Sequence, residues 1–187
     1  MIEPEIAWYG LYETMIFTEA FIKGIVKMTQ DRIESEVGHQ VDISQEFMDI
    51  DHVWKIMTYE EVRSEFVFEY GLDISSEIEK RLTDKYGPVF ITHYPKELKP
   101  FYMKKEGDYA LCFDLIFPVV GELVGGSQRE DDYDTLIAGM DKMKWYAETR
   151  KWGSVPHSGF GLGFERLLMY LSGVQKVHDV IPFPVSF

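Results

Sequence analysis

Cysteine is almost absent from this sequence, with Cys112 the only thiol among 187 residues. A single thiol excludes an internal disulfide and a thiolate zinc cluster, and it suits a reducing compartment such as the cytoplasm. No apolar run approaches the roughly 20 residues that a membrane helix needs. The N-terminal stretch MIEPEIAWYG also lacks the basic start of a secretory signal. The sequence therefore predicts a cytoplasmic protein without a membrane partner.

Basic residues are also scarce, since 19 Lys and Arg stand against 32 Asp and Glu, for a net charge of −13. This excess opposes sequence-independent binding to nucleic acid phosphates, so any RNA contact must come from a local surface. The chain is 45% hydrophobic and shows no repeat or linker, which favours one domain over residues 1–187.

Helical spacing of apolar residues predicts a long helix from Leu11 to about Glu36, with Gly38 as its stop. Two shorter helices are predicted at the capping-box patterns Thr58 with Glu61 and Ser76 with Glu79. Gly87 is expected to end the second of them. Residues 132–152 also read as helical.

Strands are predicted over the first ten residues and over 89–95, 110–118 and 121–128, the last two forming an antiparallel pair. A glycine-rich strand and a helix follow near the C-terminus. This order of elements predicts an α+β fold with a mostly antiparallel sheet flanked by helices.

The stretch HSGFGLGFERLLMYL (157–171) places glycine at every second position and then changes to helical spacing. Phe164 stands where a dinucleotide fingerprint needs glycine, which disfavours that kind of site. A strand face without side chains suits a flat ligand, and Arg166 would then meet its anionic part. The alternative is a strand packed closely under a helix, with Arg166 in a surface salt bridge.

Two acidic residues, Asp114 and Glu122, fall on the neighbouring strands of the predicted antiparallel pair. Their carboxylates could hold Mg²⁺, with phosphates completing its ligand shell. The alternative for Asp114 is a structural salt bridge to Arg129 or Lys99.

Lys99 lies between two prolines and ahead of two aromatic residues, so it is either a surface residue or a clamp for a carboxylate. Glu3 and Glu5 are two residues apart on a predicted strand and therefore share a face. Their mutual repulsion predicts that this face meets a cation or water.

Several motifs together carry a resemblance to a known family. HSGFGLGFERLLMYL resembles motif 3 of the class II aminoacyl-tRNA synthetases, and MIEPEIAWY resembles the second half of motif 2. In chain order, YGLDISSEIEKRL, YPKELKPFYM, PVVGELVGGSQRED and VHDVIPFP resemble the asparaginyl enzymes of the aspartyl/asparaginyl group. The resemblance implies a partial class II catalytic core that runs from motif 2 to motif 3, without the anticodon-binding domain.

What the resemblance implies for the site is an asparagine-activating centre that uses ATP and Mg²⁺ and, in the full-length enzyme, tRNA(Asn). The implied ATP-binding residues are Asp114, Glu122, Gly161, Gly163, Phe164, Glu165 and Arg166. Asp114 and Glu122 would also bind the metal, and Glu122 and Arg166 would be catalytic. The implied amino-acid pocket contains Glu3, Lys99, Arg129 and His157, with Glu3 favouring a carboxamide side chain.

The chain departs from the family pattern in several places. Nothing matches motif 1 or the first half of motif 2 with its α-phosphate arginine, and Val185 stands where the family often has arginine. A homodimer or an upstream segment is therefore an expected partner, and the chain alone is not expected to activate asparagine at a useful rate. Two alternatives remain: an asparagine synthetase that uses an aspartyl adenylate and ammonia, and a non-catalytic paralogue that binds nucleotide or a partner chain.

Overall fold

A six-stranded sheet organises the computed structural model, which describes residues 1–37, 52–139 and 143–184. Its strands and those of a small hairpin are β1 (Glu5–Ala7), β2 (Lys55–Thr58), β3 (Val89–Thr92), β4 (Lys105–Glu106), β5 (Tyr109–Ala110), β6 (Cys112–Phe117), β7 (Gly121–Gln128) and β8 (His157–Leu162). The large sheet has the order β1-β8-β7-β6-β3-β2, and β4 pairs with β5. Every pair in the large sheet is antiparallel except β2 with β3, which confirms the predicted mostly antiparallel α+β fold.

Helices flank this sheet. They are α1 (Leu11–Val37), α2 (Tyr59–Phe66), α3 (Ser76–Tyr86), α4 (Tyr133–Ala138), α5 (Lys144–Glu148) and α6 (Phe164–Ser172), with 3₁₀ turns at Lys96–Leu98, Thr149–Trp152 and Val177–Val180. The predicted capping box at Thr58 is confirmed, because Thr58 and Glu61 exchange both hydrogen bonds. Gly87, with a φ of 70°, ends α3 as expected.

Several predicted boundaries are wrong for local reasons. Ser75, and not Ser76, caps α3, since its hydroxyl accepts from the Ile78 N–H. Strand β3 stops before His93, whose φ of 55° leaves the extended region, and Trp8 ends β1 in the same way with a φ of 69°. The helix predicted over 132–152 is divided into α4, α5 and a 3₁₀ turn. Gly38 and Val185 lie outside the described residues.

The core occupies both faces of the sheet. Alternate residues of β6 separate the two sides: Phe113 and Leu115 join the cluster under α1, whereas Cys112 and Ile116 join the cluster with α2 and α3. Asp114 shares the second face, where the sheet is not covered by α1. In the described parts of the chain, no helix is long and apolar enough to cross a membrane.

A β-bulge in β7 decides which face Glu122 occupies. Leu115 pairs with Val124, but Ile116 pairs with Glu122, so Leu123 is an extra residue. Leu123 and Val124 consequently both enter the core cluster beneath α1. Beyond the bulge the alternation is reversed, which turns Glu122 to the same face as Asp114.

Candidate active site

The sheet face that bears Asp114 is only partly covered by helices. Its uncovered part forms one wall of a cavity of about 540 Å³. Its lining residues are Met1, Glu3, Glu5, Leu98, Lys99, Pro100, Tyr102, Met103, Asp114, Glu122, Gly125, Arg129, Phe160 and Gly161. Seven candidates from the sequence, whose numbers span almost the whole chain, therefore meet here: Glu3, Lys99, Asp114, Glu122, Arg129, Gly161 and, as an acidic partner on the first strand, Glu5.

Lys99 and Asp114 form an ion pair at the floor of this cavity. The Lys99 Nζ donates to Asp114 Oδ2 at 2.6 Å, and the two side chains are only 14% and 12% exposed. The same Nζ lies 3.8 Å from the ring centroid of Tyr94, which is buried. Although burial opposes the charged form of Lys99, the neighbouring Asp114 carboxylate raises its pKa. Of the two salt bridges considered for Asp114, the structure forms the one to Lys99.

Arg129 is held by a separate carboxylate. Its Nη2 donates to Glu5 Oε1 at 2.7 Å, and its Nη1 donates to Ser127 Oγ at 2.6 Å. The guanidinium also lies over the Tyr102 ring, with its Cζ 5.2 Å from the ring centroid. The expectation that the strand bearing Glu3 and Glu5 meets a cation is met through Glu5.

The Glu122 carboxylate lies over the backbone of Gly125. A Cβ atom added at this glycine would lie 2.7 Å from Glu122 Oε1 and 3.7 Å from Asp114 Oδ1. Removal from water and then the charge of Asp114 raise the pKa of the Glu122 carboxyl, although Lys99 and Arg166 oppose the shift. Burial and the charge of Glu122 likewise raise the pKa of Glu79 on α3. Negative charge is therefore in local excess around Glu122.

Arg166 lies in the first turn of α6 and beside Glu122. Its Nη1 donates to the backbone carbonyl of Glu122. Arg166, Glu122 and Glu79 line a second cavity of about 630 Å³, which Glu122 shares with the first. Strand β8 and helix α6 thus contribute to two adjoining cavities, one lined by the ion-paired side chains of Lys99 and Arg129 and the other by Arg166.

The alternating glycines have different surroundings. A Cβ at Gly161 would meet only the flexible end of Met1, at 2.8 Å from its Cε. A Cβ at Gly159 would lie 2.4 Å from Glu5 Oε1, and one at Gly163 would make ordinary 3.5 Å contacts with Arg166. Gly161 is thus the glycine of this strand that leaves open surface in the cavity.

Four predicted site residues lie apart from the walls of these two cavities, and Gly163 is one of them. His157 begins β8, but its Nδ1 is 2.7 Å from the Val155 carbonyl oxygen and its Nε2 is 3.5 Å from Arg150 Nη2. Phe164 is exposed and Glu165 half-buried at the start of α6, and neither lines either cavity.

Sequence reasoning did not identify Ser127, Tyr102 and Glu79 as parts of the site. Ser127 lies two residues before Arg129 on one strand face, a spacing that was available as a signal. Tyr102 was noted only as a neighbour of Lys99. Glu79 was interpreted as a helix cap, and only the packing of α3 against β7 brings it near Glu122.

The acidic residues of the site fit a divalent cation only in part. Within the described ranges, no three His, Cys, Asp or Glu side chains form a ready metal cluster. The carboxylates of Asp114 and Glu122 nevertheless converge over Gly125, and oxygen donors are those that Mg²⁺ prefers. Burial first and then the charge of Asp114 raise the pKa of Glu122, and a cation would offset the second of these contributions. The donor set is therefore suited to a cation that takes its other ligands from phosphate or water.

The Glu122 carboxyl provides a test of this local charge excess. A raised carboxyl pKa means that the folded state binds more protons, so stability falls as pH rises through the titration of Glu122. We expect Glu122→Gln to raise the free energy of unfolding at pH 7, with a smaller gain near pH 4, in urea titrations. Glu106→Gln, at an exposed position, is the control and should give no such pH-dependent gain. A loss of stability at pH 7 would contradict the charge excess.

Comparison with known proteins places this geometry in context. A family model described as tRNA synthetases class II (D, K and N) matches residues 1–186. An asparagine–tRNA ligase from Azobacteroides pseudotrichonymphae genomovar. CFP2 is 40% identical over 210 aligned residues, which cover 98% of this chain and 45% of the relative. The chain spans about half the length of the curated relatives that it matches.

Two similar solved structures are also asparaginyl-tRNA synthetases. An asparaginyl-tRNA synthetase from Pyrococcus horikoshii, complexed with asparaginyl-adenylate, is 33% identical with a TM-score of 0.82, over 96% of this chain and 45% of that one. The Entamoeba histolytica asparaginyl-tRNA synthetase, in complex with asparaginyl-adenylate, is 31% identical with a TM-score of 0.83 over the same shares. The resemblance read from the motifs is confirmed.

Proposed function

This chain belongs to the class II tRNA synthetases of the D, K and N group, and from that membership we propose that its site binds asparagine and ATP for the formation of asparaginyl-adenylate. One observation carries the proposal: Lys99, Arg129, Glu122 and Arg166, which are far apart in sequence, line two adjoining cavities on one sheet face. The relatives with asparaginyl-adenylate bound share this fold. In the whole protein, the adenylate is then transferred to tRNA(Asn).

The first cavity is the proposed amino-acid pocket. Lys99 and Arg129 supply cations for the substrate's oxygen atoms, and Glu3 supplies an acceptor for its N–H groups, which favours a carboxamide side chain over a carboxylate. His157 belongs to this proposal as a residue at the border, since its strand leads into the cavity.

The second group of residues is proposed to hold ATP. The open backbone at Gly161 accommodates the flat base, and the start of α6, with Gly163, Phe164 and Glu165, borders it. Arg166 then bonds phosphate oxygens through its guanidinium, a charge-assisted contact of the stronger kind.

Asp114 and Glu122 are the proposed Mg²⁺ ligands, in keeping with the charge excess over Gly125. When bound, the metal would neutralise phosphate charge. Glu122 is the better placed of the two, because Asp114 is already paired with Lys99.

The chemistry of adenylate formation explains why cations dominate the site. Attack of the asparagine carboxylate on the α-phosphate of ATP breaks the bond to the β-phosphate and releases pyrophosphate. The step brings two anions together and needs no general base. Lys99 and Arg129 orient the nucleophile, and Arg166 offsets charge on the phosphates. We also propose that the protein works in a reducing compartment such as the cytoplasm, which its single thiol, Cys112, supports.

Partners are also part of the proposal. Because the chain spans about half of its relatives' length, we expect full activity to require further residues, supplied by an upstream segment or a second subunit. Among the described strands, β1 lies at the edge of the sheet, where another strand could add.

Calorimetric titration with ATP and Mg²⁺ tests the nucleotide half of the proposal. Arg166→Ala is expected to weaken ATP binding by roughly tenfold or more, the usual cost of a lost hydrogen bond to a charged group. Arg32→Ala is the control, since Arg32 lies on the surface of α1 and pairs with Glu36. Equal affinities of the wild type and Arg166→Ala would remove Arg166 from the ATP site.

A parallel titration with asparagine and aspartate tests substrate choice. Tighter binding of asparagine supports the proposal, whereas a preference for aspartate supports the aspartyl-adenylate alternative.

A further inference from the structure

We propose that Glu5 is a positioning residue, which fixes the Arg129 guanidinium so that its free edge meets a planar oxygen-bearing group of the amino acid. This inference rests on the proposed function for the identity of the ligand, but the orientation of Arg129 stands on the geometry of the chain itself. Glu5 and Arg129 are 124 residues apart in sequence.

The hydrogen bonds of Arg129 account for most of its donors. A guanidinium has five N–H groups. The Nε–H faces both oxygens of Glu5 at 3.2 Å each, one Nη2–H donates to Glu5 Oε1 at 2.7 Å, and one Nη1–H donates to Ser127 Oγ at 2.6 Å. Within the described parts of the chain, one hydrogen on Nη1 and one on Nη2 remain. The terminal edge of the guanidinium, where one Nη1–H and one Nη2–H point in parallel, is not the edge that Glu5 occupies.

A pair of parallel N–H groups is a specific receptor. It matches the two oxygens of a carboxylate, or the oxygen of a carboxamide, in one plane. Because Glu5 takes the neighbouring edge formed by Nε and Nη2, the ligand is left with the terminal edge. The stack on Tyr102 fixes the plane of the group, with a Cζ-to-centroid distance of 5.2 Å. Arg129 lines the cavity, so the free edge is available to a ligand there.

The exposure of the pair separates positioning from fold stabilisation. The Arg129 side chain is 13% exposed, but that of Glu5 is 53% exposed. An ion pair with one exposed member contributes little to folding. Truncation of Glu5 should therefore leave the fold intact and affect mainly the orientation of Arg129.

Gly159 gives the carboxylate of Glu5 its place. Glu5 and Gly159 are directly opposite each other in the β1–β8 pair. A Cβ at Gly159 would lie 2.4, 2.5 and 2.6 Å from three atoms of the Glu5 carboxylate. The absence of a side chain at Gly159 thus serves Glu5, whereas Gly161 serves the open wall of the cavity.

Side-chain NMR of ¹⁵N-labelled protein tests the orientation without any ligand, with the Arg129 signals assigned by loss in Arg129→Lys. We expect separate Arg129 Nη signals from restricted rotation in the wild type, and their averaging in Glu5→Ala. Glu5→Asp should recover part of the restriction. Averaged signals in the wild type, or signals unchanged by Glu5→Ala, would overturn the proposal.

Asparagine titration gives the binding readout. Glu5→Ala is expected to weaken asparagine binding by about tenfold with ATP affinity unchanged, while the urea midpoint shifts no more than in the exposed-site control Glu106→Ala. Unchanged asparagine affinity would overturn the proposed link to the ligand. If the wild type binds no asparagine, the proposed function of this chain fails, and the NMR result still decides the orientation.

A double-mutant cycle adds a sharper test. Gly159→Ala should displace Glu5 and reproduce the NMR averaging of Glu5→Ala, and the two changes combined should do no more than either alone. Gly24→Ala is the control, since a Cβ there meets nothing within 4 Å. Normal Arg129 signals in Gly159→Ala would show that Glu5 does not depend on this space and would count against the proposal.

Discussion

Gly126→Ala is expected to destabilise the fold by about 1–3 kcal/mol or more, the usual cost of overpacking a core. A Cβ at Gly126 would lie 2.4 Å from Phe113 Cζ, 2.5 Å from Phe113 Cε1 and 2.9 Å from Phe160 Cβ. Both phenylalanines are 1% exposed or less, in the cluster beneath α1. Because both side chains are packed in the core, the added methyl group must displace the Phe113 ring or the backbone of β7.

The same substitution elsewhere should behave differently. Gly161→Ala meets only the end of the flexible Met1 side chain and should cost little in folding, although it narrows the cavity. Gly24→Ala, in the interior of α1, should gain up to about 1 kcal/mol from helix propensity. Urea unfolding followed by circular dichroism measures all three. Equal losses for Gly126→Ala and Gly161→Ala would contradict the assignment of one glycine to the core and the other to the cavity.

These glycines show which features of the fold can be predicted from the sequence and which cannot. The alternation in HSGFGLGFERLLMYL predicted a bare strand face and the helix after it, because local periodicity is written in adjacent residues. It did not predict that Gly159 makes room for Glu5, since Glu5 lies on a different strand and reaches β8 only through the pairing of β1. The core position of Gly126 was not predicted, because its contacts with Phe113 and Phe160 arise only from tertiary packing.

Other parts of the fold could not be predicted from the sequence for similar reasons. Strand β2 was not predicted, because its four residues, KIMT, do not alternate between polar and apolar. It pairs in parallel with β3, and two helices separate the two strands along the chain. Asp114 and Glu122 were placed together correctly on neighbouring strands, but only the bulge at Leu123 turns them to one face. The charged residues of the first cavity could thus be named from the sequence, whereas the partner of each, such as Glu5 for Arg129, depends on the sheet register.

Lys99→Met is expected to destabilise the fold by about 3–5 kcal/mol, the usual cost of removing one partner from a buried ion pair. The loss comes mainly from the Asp114 carboxyl group, which is 8% exposed and would lose its partner, the Nζ at 2.6 Å. Tyr94, whose hydroxyl pKa is raised by burial and then by Asp114, offers no positive charge in its place. The attraction of the pair itself is the smaller contribution, because both groups lose water on burial.

The pair Lys96–Asp108 supplies the matched control, since its atoms are 2.8 Å apart but Asp108 is 80% exposed. Lys96→Met should change the free energy of unfolding by no more than about 1 kcal/mol. The double variant Lys99→Met/Asp114→Asn should recover much of the loss, because it removes the uncompensated charge. Urea titrations of these variants decide between the two sources of destabilisation. A double variant as unstable as Lys99→Met alone would show that the contacts of the lysine side chain, including its position over Tyr94, matter more than the charge of Asp114.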